Sequence, residues 1–196
     1  AEIAGRLMGA NQVNIFFDNL MVKDAGTPAR SPWHQDVPYW PIEGDQMCTV
    51  WLTLDPVPKE NSPEFVKGSH RWGKSYKPLS FYEPETEYDK RLEALDVIPD
   101  IESTRDQYDL LSFEMDAGDA LAFDGHVIHG APGNTTNQRR RAFATRWAGE
   151  TMTYAIRAGH MHPTFLHCGL AHGDPLGGPT FPVVWHHKHG TRLSDL

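Results

Sequence analysis

The chain has 196 residues, 18 basic against 26 acidic side chains and a formal charge of -8 with histidine neutral. That length suits a single domain able to bury its own core, and Cys48 and Cys168 are too few for a disulfide framework, so the expectation is reduced thiols in a cytoplasm. The acidic balance disfavours binding to a nucleic-acid backbone, and no apolar run approaches the ~20 residues that span a bilayer. A small molecule is the expected partner; no feature sets an oligomeric state.

In chain order, Ile3, Ala4, Leu7 and Met8 stand at helical spacing and predict a short helix over residues 1–10. Residues 13–22 have strand composition, with Val13, Ile15, Phe17, Asn19 and Met21 on one face by period two. A Gly- and Pro-rich loop over 23–32 leads into an extended stretch over 33–39. Residues 46–54 are the cleanest strand, with Met47, Thr49, Trp51 and Thr53 on one side; Pro56 and Pro58 end it. A short strand at 64–66 precedes the Gly68-Ser69-His70 turn. Tyr88, Leu92 and Leu95 predict an amphipathic helix over 85–96. Strands follow at 109–115, 120–129 and 140–147. Beyond Gly149 the chain is rich in Gly, Pro and His with little periodicity and is expected to wrap the surface, ending in a solvated tail at His186-His187-Lys188-His189. Many short strands and few helices predict an antiparallel sandwich, jelly roll or barrel.

The sequence lacks the common nucleotide, hydrolase and dithiol motifs, which brings its 11 histidines forward. On a strand, residues i and i+2 project the same way, so His34-Gln35-Asp36 pairs an imidazole and a carboxylate as metal donors. The motif alone is weak: 11 His and 15 Asp in 196 positions make about one chance H-x-D, and His172-Gly173-Asp174 is a second, in a segment that reads as a surface turn. A facial triad needs a distant second histidine. His126 and His129 both qualify, at odd separation on one predicted strand, so only one points inward, and the spacing does not choose between them. Among Arg139, Arg140 and Arg141, one guanidinium facing inward has the fork to clamp a carboxylate.

The runs SPWHQDVPYW, VWLTLDPVPKEN, EFVKGSHRWG, GDALAFDGHVIHGAPGN and RRRAFATRW resemble, in order and approximate spacing, the phytanoyl-CoA dioxygenase family of Fe(II)- and 2-oxoglutarate-dependent oxygenases. The resemblance extends over residues 2–185. It implies a mainly β, double-stranded β-helix (a cupin-like jelly roll) with a few flanking helices. It also implies His34, Asp36 and His129 as iron ligands and catalytic centre, with 2-oxoglutarate and O2 as co-substrates. Arg140, eleven residues after His129, is implied as the clamp on the far carboxylate of 2-oxoglutarate, with Trp51, Thr53 and Asn19 beside the same ligand.

Two departures bear on substrate choice: Ser62-Pro63-Glu64 and Lys67 stand where relatives often carry Gly-x-Leu and Pro before the Gly-Ser-His turn. Members usually carry further elements before this point, so the expectation is one domain over residues 1–196 that lacks an N-terminal portion. Halogenating relatives replace the triad carboxylate by a small residue, so Asp36 points to hydroxylation. The expected activity is hydroxylation of a small, apolar metabolite with succinate and CO2 as co-products; the alternative is a non-catalytic module of the same fold that binds metal and a 2-oxoacid.

Overall fold

Alternation of arginine and alanine with larger exposed residues from Arg140 onward forces one face of that segment inward, and the fold is built around it. The computed structural model describes residues 1–78, 95–157, 165 and 167–187. Helix α1 (Glu2–Met8) precedes β1 (Gln12–Lys23), β2 (Ser31–His34), β3 (Ile42–Glu43), β4 (Met47–Thr53), β5 (Glu64–Val66), β6 (Leu110–Leu111), β7 (Ala120–Asp124), β8 (His129–Ala131), β9 (Arg140–Gly149), β10 (Thr153–Tyr154) and β11 (Val183–His186). The larger sheet has the order β11-β1-β9-β4-β7 and the smaller β2-β8-β5-β6, all pairs antiparallel; β10 and β3 form a two-stranded ribbon. The two main sheets meet where Phe123 of β7 packs on Phe65 of β5 and on the His129 ring, with centroids 4.9 and 4.8 Å apart. This is the double-stranded β-helix, a jelly-roll arrangement.

Strand β9 lies between β1 and β4. Its inward residues Arg140, Ala142, Ala144, Arg146 and Ala148 are all buried, whereas Arg141 and Phe143 are exposed. On β4 the matching inward set is Met47, Thr49, Trp51 and Thr53. On β1 the expected single parity breaks: a bulge between Ile15 and Phe17 puts Asn14 and Phe16 on the inner side before it and Phe17, Asn19, Met21 and Lys23 opposite the inward residues of β9 after it. Val13 and Ile15 fall on the other face, where Val13 meets Gly5 of α1; a Cβ on Gly5 would lie 2.9 Å from the valine.

Three expected strands are shorter than their sequence suggests. Residues 120–129 do not form one strand: β7 stops at Asp124, and the chain turns through Gly125 to Ile128 before β8 begins. The Gly125 carbonyl accepts the Asp36 and Val37 N–H groups at 2.9 and 3.1 Å, so the backbone there serves a loop rather than a ladder. Of residues 109–115 only Leu110–Leu111 is strand, with Met115 bridging to Val57. Residues 33–39 are extended only through His34; Val37–Tyr39 is a 3-10 turn with Pro38 inside it. The helix expected at 85–96 falls almost wholly outside the described residues.

The segment after Gly149 corrects the expectation of a surface wrap. Met152, Tyr154, Ala155, Leu176 and Phe181 are buried, four of them in one cluster with Phe16, Trp40, Ile42 and Met47. His186 ends β11, paired with Gln12, so the chain is still in the sheet where a solvated tail was expected. Buried Asn14 ties this segment down by donating from Nδ2 to the Phe181 carbonyl at 2.7 Å and the Leu176 carbonyl at 3.3 Å. Replacing Asn14 by Ala strands both carbonyls and is expected to cost about 2 kcal/mol, a fall in Tm of roughly 4–8 °C for a domain of this size. Thermal unfolding followed by circular dichroism checks this; an unchanged Tm contradicts the tether.

Candidate metal centre

The centre forms where β2 ends and β8 begins. His34 and His129 stand directly opposite one another in the β2–β8 ladder, with ring centroids 4.2 Å apart. Each imidazole is oriented by the backbone two residues before it: His34 Nδ1 lies 2.8 Å from the Pro32 carbonyl and His129 Nδ1 lies 3.0 Å from the Val127 carbonyl. A carbonyl only accepts, so both Nδ1 atoms carry the proton and donate it, and both Nε2 atoms present a lone pair. Those Nε2 atoms stand 3.5 Å (His34) and 3.8 Å (His129) from Asp36 Oδ1.

Asp36 does not arrive as the i+2 residue of a strand. It sits in the right-handed helical region (φ -72, ψ -50) as the cap of the Val37–Tyr39 turn, drawn back by its N–H bond to Gly125. A Cβ on Gly125 would come within 2.8 Å of Val37 Cγ2 and 3.0 Å of Met47 Cγ, so glycine permits that approach. Thr49 of β4 donates from Oγ1 to Asp36 Oδ2 at 2.9 Å, which leaves Oδ1 turned toward the two imidazoles.

Three acceptor atoms thus converge with no proton between them, an arrangement that a cation satisfies. Among the described residues His34, Asp36 and His129 are the group of this kind, their ligand atoms all within 4.8 Å of one another. Adjacent N and O ligands of an octahedral ion with bonds of about 2.1 Å stand roughly 3 Å apart, so small side-chain adjustments close the set on a metal. Two neutral imidazoles and one carboxylate on one side of the site match the facial donor set of non-haem iron, with the remaining positions open. Burial pushes the His129 pKa down to about 4, with His34 as the second cause. Burial raises the Asp36 pKa, but His129, the His34 contact and Arg146 together outweigh it and hold the carboxyl well below its ordinary value.

The remaining expected site residues spread along the same inner surface. Arg140 is buried at the far end of β9, where its Nη1 donates to the Asn61 carbonyl, and Lys23 stands opposite it in the β1–β9 ladder. Burial, then Arg140 and Arg30, push the half-buried Lys23 ammonium down to about 8. Trp51 packs against Val57, Met115, Ala142 and Ala144, and Thr53 uses its hydroxyl to donate to the Asp55 carbonyl at 2.6 Å. Asn19 reaches the metal end: its Oδ1 accepts a hydrogen bond from Arg146 Nη1. Arg139 and Arg141 face outward, paired with Asp24 and Asp55. His126 lies outside the converging group, its Nδ1 3.1 Å from Asp124. His172 and Asp174 take part in a turn, accepting the Ile156 and Ala171 N–H groups.

Residues 1–142 match the phytanoyl-CoA dioxygenase (PhyH) family. The chain belongs to this family. An L-proline trans-4-hydroxylase from Streptomyces griseoviridis is 28% identical over 148 residues, covering 70% of this chain and 55% of the relative, so the chain spans about half of that protein. Two solved structures share the fold: the epimerase SnoN in complex with Fe3+, 2-oxoglutarate and nogalamycin RO (TM-score 0.70, 22% identity, 93% of this chain and 68% of that one) and the carbocyclase SnoK of nogalamycin biosynthesis (TM-score 0.69, 24% identity, 93% and 66%).

Three contributors to the candidate metal centre are not marked by any sequence pattern. Thr49 shares one face of β4 with Trp51 and Thr53 by period two, but its bond to Asp36 is a tertiary contact. Gln35, the middle residue of His-x-Asp, is buried and fastens the loops around the centre: its Nε2 donates to the Lys74 and His126 carbonyls and its Oε1 accepts the Tyr76 N–H. Arg146 is the third, and its only advance signal is the period two it shares with Arg140. A cavity of about 590 Å3, lined by Phe113, His70 and Arg71 among others, does not include the triad. Phe65 and Phe123, which also line it, stand between it and His129.

Thr49→Val should weaken metal binding about 10-fold and Thr49→Ser much less, because only the hydroxyl orients Asp36; equilibrium metal titration checks this, and equal affinities contradict it. In metal-free protein His129 stays neutral down to about pH 4, while in the unfolded chain it protonates near 6.5. The unfolded state therefore binds more protons in this interval, and stability should fall as pH drops from 6.5 to 4. Urea unfolding at a series of pH values should show that slope, reduced in His129→Asn.

Proposed function

We propose that this chain is an Fe(II)- and 2-oxoglutarate-dependent oxygenase domain that hydroxylates a small metabolite of largely apolar body. The observation that supports it most is the convergence of two Nδ1-protonated imidazoles and the Asp36 carboxylate on one point. His34, Asp36 and His129 would hold the iron, which when bound would supply oxidation of a C–H bond by O2 coupled to conversion of 2-oxoglutarate into succinate and CO2. The protein's own part is positional: the carbonyls of Pro32 and Val127 orient the imidazoles, Thr49 orients Asp36, and the packed aromatic rings of Phe65, Phe123 and Tyr39 shield the ligands from bulk water.

Arg140 is the residue we assign to the distal carboxylate of 2-oxoglutarate. It is a buried guanidinium at the end of the surface remote from Arg146, and the neighbouring ammonium of Lys23 adds positive charge there. Trp51 and Thr53 lie between, on the inward face of β4, and serve in this reading as the wall along which the co-substrate lies. SnoN binds iron and 2-oxoglutarate on the same fold, and the proline hydroxylase supports hydroxylation as the outcome.

Anaerobic titration of the Fe(II)-loaded protein with 2-oxoglutarate should produce a weak visible charge-transfer band, and admission of O2 should yield succinate. His129→Ala should abolish the band and His126→Ala should retain it. Arg140→Ala should weaken 2-oxoglutarate tenfold to a hundredfold with iron binding retained. A band without succinate would leave a binding module; no band in the wild type would contradict the reading.

A further inference from the structure

Arg146 is charged, buried and only half engaged. Its Nη1 donates to Asn19 Oδ1 and to the Ala144 carbonyl, while Nε is buried and has no hydrogen-bond partner among the described residues. The guanidinium lies beside two aromatic rings that meet edge to face, 4.6 Å from the Phe17 ring centroid and 5.8 Å from that of Trp40. Its place is beside the metal ligands: Arg146 is opposite Thr49 in the β4–β9 ladder, Thr49 holds Asp36, and Arg146 acts on the charges of both Asp36 and His129.

Charge balance shows what is missing. Fe(II), Arg140, Arg146 and the Lys23 ammonium together carry one more charge than the two carboxylates of 2-oxoglutarate, Asp36 and Asp18 supply. With Arg140 engaged by the co-substrate, Arg146 is left as a buried cation with no ion-pair partner among the described residues, Asp36 and the exposed Asp18 acting on it only from a distance, which is costly unless an anion meets it. Arginine does not lose its proton under ordinary conditions, so the anion must come from a ligand. The donor left over is Nε–H on one edge of a planar fork, and a carboxylate is the anion whose geometry such an edge matches.

We propose that Arg146 recognises a carboxylate of the primary substrate and so holds the substrate's apolar remainder against the partly exposed Phe17 beside the metal. This rests on the oxygenase reading and narrows it to substrates that are acids. The bulge in β1 is what makes the subsite: it turns Phe16 and Phe17 inward in succession, so that Phe16 fills the core while Phe17 lies against the guanidinium.

The test uses matched pairs, benzoate against benzamide and L-proline against L-prolinamide, with inorganic phosphate as a third anion. Each is titrated into metal-free protein and into protein loaded with Zn(II) and 2-oxoglutarate, followed by Trp fluorescence and calorimetry. The expected result is that at least one acid binds tenfold or more tightly than its amide. Arg146→Gln should erase that preference while 2-oxoglutarate affinity stays within about twofold. Arg146→Lys, which keeps the charge and loses the fork, should recover the preference in part and guards against a folding defect in the first variant. No acid preference in the wild type, an undiminished preference in Arg146→Gln, or binding of phosphate alone would overturn the proposal. So would a large loss of 2-oxoglutarate affinity in Arg146→Gln, which would give Arg146 to the co-substrate. Failure of the wild type to bind 2-oxoglutarate would count against the oxygenase reading itself, while the acid preference of metal-free protein would still report on Arg146.

Discussion

One cross-strand pair, His34 opposite His129, governs the rest of the site. The two histidines are 95 positions apart in the chain, and the β2–β8 ladder alone brings their rings within 4.2 Å. Because each ring donates its Nδ1 proton to a carbonyl of its own strand or turn, the ladder also fixes which nitrogen is left to bind a metal. The close approach depends on Gly130, where an added Cβ would stand 3.0 Å from the Ser31 carbonyl on the neighbouring strand. Asp36 then enters from a turn rather than from a strand, and the carbonyl of Gly125 and the hydroxyl of Thr49 are what hold it in place.

The inner face of β9 supplies the second organising feature. Its arginines stand at either end, Arg140 and Arg146, with Ala142 and Ala144 between them. Six residues of strand span roughly 20 Å, and alanines in that interval keep the surface between the arginines low while both cations remain in desolvated surroundings. Electrostatic groups fixed in a water-poor site act more strongly than they would in solvent and need no rearrangement when a ligand arrives. The same burial makes each of them expensive unless a ligand or backbone oxygen meets it, which is why Arg140 already donates to the Asn61 carbonyl.

Periodicity made an antiparallel sandwich, jelly roll or barrel legible in advance and grouped Met47, Thr49, Trp51 and Thr53 on one face of β4, because that strand is regular; which face points inward, and which of the three arginines of β9 does, came with the family resemblance and not from the alternation. Periodicity failed where the backbone leaves the ladder. The bulge at Phe16 in β1 reverses parity with no glycine or proline to announce it. The turn through Gly125 splits what reads as one strand and removes the premise that His126 and His129 face opposite ways on it; His126 instead contacts Asp124 from within the turn. His-x-Asp stood out as a donor pair for the wrong geometric reason, since Asp36 is helical in backbone conformation. The segment after Gly149 looked like surface because its buried residues, Met152, Leu176 and Phe181 among them, are spaced by turns rather than by a repeat. Thr49, Gln35 and Arg146 were invisible as site residues because their roles are tertiary hydrogen bonds and charges, which one strand's pattern does not encode.

In the proposed centre one iron is bound through His34 Nε2, Asp36 Oδ1 and His129 Nε2. Anomalous diffraction at the iron edge, from crystals grown anaerobically with Fe(II), tests it most directly. A single peak within bonding distance of those three atoms, with Asp36 Oδ2 still on Thr49, is expected; iron bound elsewhere, or coordinated through an Nδ1 atom, would contradict this centre.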